Sequence, residues 1–152
     1  MALKADRHEA RTDISFFMNT TGNRGVIVVH DTSASGAGMD AAAAVVKIPT
    51  AGFSGSLPAG LLLCDVVNYD LTRQHINWHK DEVQIGGKVT LLKDGWVVTN
   101  AVSGSPTAGQ TAYYDQNGNL TPTDGGGGVK VGRFLTSKDA DGYAKVDINI
   151  TG

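Results

Sequence analysis

The chain has 152 residues, 20 of them glycine, with 41% hydrophobic and 18% charged residues and 13 bases against 15 acids, a formal net charge of −2. That length suffices for one domain with a buried core, and the near-neutral balance argues against a nucleic-acid binder, which carries a basic excess. Glycine is too sparse and too aperiodic for collagen, and low charge with abundant valine, isoleucine and leucine argues against disorder along the whole chain.

In chain order, residues 1–25 carry alternating charges (Lys4, Asp6, Arg7, Glu9, Arg11, Asp13 and Arg24) and read as an N-terminal arm ahead of a domain over 26–152. The first residues lack the apolar stretch of a secretory signal, and no apolar run in the chain reaches membrane-span length, so the expectation is a protein made and at first kept in a cytoplasm, with no membrane partner. Residues 4–11 would at most form a helical turn or two. Behind them Arg11, Ile14, Phe16, Phe17 and Met18 make a short apolar stretch carrying two adjacent phenylalanines. Such a segment either stays loose until it adds to another protein's sheet edge or groove, or is the first strand of the domain's own sheet. Both alternatives stand at this point.

Strand signals dominate from there on. Apolar runs at 26–30, 43–48 and 61–67 and alternating runs at 73–80, 88–92, 96–99, 112–114, 129–135 and 143–150 are separated by glycine, asparagine and aspartate. The alternation over 143–150 places Ala144, Val146, Ile148 and Ile150 on one face and Tyr143, Lys145, Asp147 and Asn149 on the other. Three glycine-bearing connections read as tight turns: Lys93-Asp94-Gly95, the stretch from Asp115 to Gly118, and the loop ending in Asp141-Gly142. Pro49, Pro58, Pro106 and Pro122 fall between the runs, where a missing amide donor does no harm. Asp40 ahead of four alanines would cap one short helix, and the glycines at 125–128 read as a loop. These signals predict an all-β fold, a small antiparallel β-barrel or sandwich of roughly eight to ten strands, with an extended N-terminal arm.

Chemistry-bearing patterns are weak. His75 and His79 lie four apart in an alternating, strand-like context, where that spacing spans about 13 Å, too far for one zinc ion. Asp139, Asp141 and Gly142 resemble part of a calcium loop, but the twelfth position is Ile150, so a turn is the simpler reading. The glycines near Gly36, Gly52 and Gly86 lack the nucleophile elbow, dinucleotide and phosphate-loop contexts. Cys64, the single cysteine, sits in an apolar run and reads as a buried thiol. No cofactor, metal ion or catalytic group is expected. Trp78, Trp96, Tyr113 and Tyr114 would serve either as a sugar-binding platform or as strand-pair packing.

The stretches at 57–63 (LPAGLLL), 86–92 (GGKVTLL), 109–118 (GQTAYYDQNG), 131–135 (VGRFL) and 141–146 (DGYAKV) run in an order that resembles the capsid decoration, or cement, proteins of tailed bacteriophages. The resemblance covers roughly residues 57–150. It implies a β-rich protein without an active site, an oligomer (often a homotrimer) on the outer surface of the icosahedral head. There it would bind the major capsid protein and itself, stabilising the expanded shell against internal pressure. On that expectation Arg11, Ile14, Phe16, Phe17 and Met18 reach the capsid, and Trp78, Trp96 and Tyr113 contribute to contacts between copies. The alternative is a carbohydrate-binding or fibre-like β-module for host adhesion, with Trp78, Tyr113 and Tyr114 as an exposed aromatic row.

Overall fold

The two most apolar runs of the chain become strands buried on both faces, and the fold is organised around them. A computed structural model describes residues 3–31, 45–49, 57–65, 82–83, 85–124 and 129–150. Its strands are β1 (Leu3–Met18), β2 (Gly22–Asn23), β3 (Ile27–His30), β4 (Val45–Lys47), β5 (Pro58–Asp65), β6 (Glu82–Val83), β7 (Lys88–Thr99), β8 (Thr111–Tyr114), β9 (Leu120–Thr121), β10 (Gly132–Phe134) and β11 (Ala144–Asn149). Among the described residues there is no helix. The protein is all-β, as its turn and strand signals predict.

Nine strands form one sheet in the order β1-β4-β3-β5-β7-β11-β10-β8-β9, and an additional β1–β7 pairing returns the first five to their start. The result is a small, unevenly closed barrel. Both seams of β4 are short, and at β1–β4 only Phe17↔Val45 and Met18↔Val46 pair. That seam is parallel, so the sheet is mixed rather than wholly antiparallel. The barrel interior is filled by Met18, Val28, Val46, Leu62, Val89 and Leu91, with Val83 of β6 beside them. A second, larger core lies between the outer side of β3 and β5 and the β8–β11 region. Ile27, Val29, Leu61 and Leu63 meet Tyr114, Phe134, Val146 and Ile148 there. Consecutive residues of a strand face opposite ways, so Val28 and Leu62 serve one core while their neighbours serve the other. This explains why neither run alternates with polar residues.

β7 crosses from one core to the other. Val89 and Leu91 face the barrel, whereas Leu92 and Val97 face the second core. Leu91 and Leu92 are buried on opposite faces, so the strand borders both cores at that point. The expected turn at Lys93-Asp94-Gly95 is therefore corrected: residues 88–99 form one continuous strand. β1 runs antiparallel along its whole length, from Leu3↔Thr99 to Phe17↔Lys88, with four register irregularities. At Gly95 the φ is +146°, and a Cβ there would meet the His8 carbonyl oxygen of β1. Glycine at this position permits close approach of two backbones rather than a chain reversal.

The other two turns form as expected. Asp115 Oδ1 accepts from the amides of Asn117 (2.9 Å) and Asn119 (3.0 Å). Gly118, at φ +81°, closes that turn, and its carbonyl also accepts from the Ile27 amide at 2.8 Å, docking the hairpin onto β3. Asp139 Oδ1 accepts from Asp141 and Tyr143 amides, both at 2.9 Å. β10 and β11 pair with Gly132 opposite Ile148. Ala144, Val146 and Ile148 are buried and Asp147 and Asn149 exposed, in the predicted alternation.

One proline departs from the expected pattern. Pro58 opens β5 opposite Val29, beside a bulge, and the Leu57 carbonyl accepts the His30 amide at 3.0 Å. A first strand position tolerates the missing donor. The candidate helix after Asp40, the strand at 73–80 and the glycines at 125–128 lie outside the described residues.

Candidate functional site

The N-terminal segment is extended, but it lies in the domain's own sheet as β1 rather than standing off it. Residues 4–11 are likewise strand, not a helical turn, because β7 offers them a pairing edge that local propensity cannot anticipate. Of the five residues expected to reach a partner from this segment, Arg11 is exposed and Ile14 is 37% exposed. Phe16 and Phe17 are half-buried: Phe16 packs edge-on to the His30 ring at 5.4 Å, and Lys88 Nζ lies 4.7 Å from the Phe17 centroid. Met18 is 1% exposed and belongs to the barrel interior. Met18 has no surface to offer a partner, and removing residues 1–18 would take away a wall of the barrel.

The aromatic candidates separate. Trp78, like His75 and His79, lies outside the described residues. Trp96 pairs with Asp147, Asp147 with Arg133, and Arg133 with Thr111 across β7-β11-β10-β8. In-register partners share a face, and Tyr113 is two residues beyond Thr111. Trp96 and Tyr113 therefore lie on one outer sheet face, three inter-strand steps across and two residues along, roughly 16 Å apart. Lys145 Nζ sits 4.0 Å from the Trp96 centroid, and Lys4 Nζ 4.5 Å from that of Tyr143. Tyr114 points the other way, is 1% exposed, and burial raises its phenol pKa. An exposed row containing both Tyr113 and Tyr114 is thus excluded by strand alternation. Cys64 lies in β5 opposite Thr90.

No group of three or more potential metal ligands occurs among the described residues. The Asp139 carboxylate that resembled a calcium ligand is engaged by backbone amides of its own turn. The buried polar groups are matched as well. Thr99 Oγ1 bonds the Gly25 carbonyl (3.3 Å) and the Ala101 amide (3.1 Å), and Asp31 accepts from Asn19 Nδ2 at 2.6 Å.

Sequence reasoning missed one feature, a groove of about 990 Å³ between the rim of the barrel and the end of the β10–β11 hairpin. Arg11, Asp13, His30, Lys93 and Lys130 supply its charged and titratable lining, and Leu57, Pro58, Val129 and Ile150 its aliphatic lining. Burial would raise the Asp13 carboxyl, but hydrogen bonds from Ser15, including its amide at 2.7 Å, together with the charges of Lys93 and His30 bring it below the ordinary value. His30 is held below its ordinary value by burial first and by the Lys93 charge second, with Asp13 opposing them. Arg11, His30, Lys93 and Lys130 are scattered over more than a hundred positions, so no local motif announces them.

Neither a protein-family model nor a curated protein sequence matches this chain.

Proposed function

We propose that this chain is a non-enzymatic structural protein of a tailed-bacteriophage virion. It binds the outer surface of the expanded capsid as an oligomer, with a homotrimer as the expected form, and cements neighbouring major capsid subunits. The observation that carries this reading is spatial. The five stretches that resemble the cement proteins supply β5, β7, β8, β10 and β11 or their bounding turns, strands gathered in the block β5-β7-β11-β10-β8 around one core. The block's outer face carries Trp96 and Tyr113 with the Asp147–Arg133 pair between them, a mixed surface suited to contacts with other copies. Several modest footprints per oligomer would combine into firm attachment without one large interface.

Mixing the purified protein with undecorated expanded heads and imaging them by electron cryomicroscopy tests the reading. Ordered density at three-fold or quasi-three-fold positions is expected, and bare heads at saturating protein would refute it. Of the three aromatics named for the adhesion alternative, Tyr114 is in the core.

A further inference from the structure

The groove between the barrel rim and the β10–β11 hairpin concentrates positive charge on a protein whose net charge is −2. Among the described residues its lining holds the cations Arg11, Lys93 and Lys130 against one carboxylate, Asp13, which is already bonded to Ser15. Among the described residues, neither Arg11 nor Lys130 has a carboxylate within ion-pairing distance. Beside these charges lie aliphatic side chains, including Leu57, which is 62% exposed.

We propose that this groove docks an acidic, aliphatic peptide segment of a partner protein. Charge complementarity selects the acid, and Leu57, Pro58, Val129 and Ile150 select aliphatic side chains between the acids. The segments 32–44, 50–56 and 125–128, which adjoin groove-lining stretches in sequence, contain a single carboxylate, Asp40. A sugar ligand would call for an aromatic platform, and a nucleic acid for stacking faces and a longer basic track; among the described residues the groove lining has neither. The inference stands apart from the capsid reading. If both hold, the segment belongs to the shell subunit beneath.

The test is a titration of the isotope-labelled full chain, followed by amide chemical shifts. The probes are a blocked hexapeptide alternating leucine with aspartate and a counterpart with asparagine in place of each aspartate. Saturable shifts confined to amides such as Thr12, His30, Lys93 and Asn149 are expected for the acidic peptide only. The double substitution R11Q/K130Q should weaken binding roughly two- to thirtyfold, whereas K4Q, at the other end of β1 beside Tyr143 and roughly 23 Å from Arg11, should not change it. The dispersion of the same spectra reports whether each variant is folded. Equal binding of both peptides, shifts centred elsewhere, or no saturation at millimolar peptide would overturn the proposal. So would self-association of the chain that R11Q/K130Q abolishes, since the occupant would then be a second copy.

Discussion

Met18→Ala separates the two roles open to the N-terminal segment. If residues 11–18 served only as a contact arm, truncating Met18 would leave stability within about 0.5 kcal/mol of the parent, as for most surface changes. In the structure its side chain is 1% exposed and packs among Val28, Val46, Leu62, Val89 and Leu91. It also sits at the β1–β4 seam, where it is one of only two paired positions. Truncating a buried methionine removes its transfer free energy and leaves a cavity, together about 2–5 kcal/mol. For a chain of this length each kcal/mol moves Tm by about 2–4 °C, so a fall of about 4–20 °C is expected. Urea unfolding followed by tryptophan fluorescence gives the same quantity as a lowered midpoint at unchanged slope. Ile14→Ala is the internal control, on the same strand but 37% exposed, and should cost under about 1 kcal/mol. A Met18→Ala midpoint indistinguishable from the parent, or an Ile14→Ala loss of equal size, would refute the placement of β1 in the barrel wall.

Gly95→Ala should destabilise by more than the usual ~1 kcal/mol of a point substitution, because its Cβ meets the His8 carbonyl; a variant with unchanged urea midpoint would mean that β1 does not run there. Asp139→Ala removes the acceptor for two turn amides and should cost about 1–2 kcal/mol, measured the same way, without altering any calcium response. The pKa of His30 is depressed in the folded state, so protonation favours the unfolded chain. Its contribution to stability is full above the ordinary value of 6.5 and is lost as pH falls through that value toward the folded pKa. The urea midpoint should therefore drop more between pH 7.5 and 5.5 in the parent than in His30→Gln; parallel declines would show that His30 is not desolvated.

The terminal hairpin was legible because its determinants are local. Period-two alternation over 143–150, an aspartate that bonds amides two and four residues ahead, and Gly142 at φ +87° are all written within a dozen residues. The same signals misread Lys93-Asp94-Gly95. Aspartate before glycine suits a tight turn and also suits a glycine pressed against a neighbouring strand, and only the presence of β1 decides between them. The groove was illegible for a related reason: its basic residues come from positions 11, 30, 93 and 130. They meet only once the barrel has closed and the hairpin has docked on it.

By itself the sequence determined the all-β class, most strand positions and two of three expected turns, because backbone preference and side-chain alternation act over a few residues. Tertiary structure alone decided that the first segment is a barrel wall, that residues 88–99 are one strand serving two cores, and that scattered cations share a groove. Pairing between distant strands depends on which edges and apolar faces remain unsatisfied after all the others have packed, and no short stretch of chain carries that information.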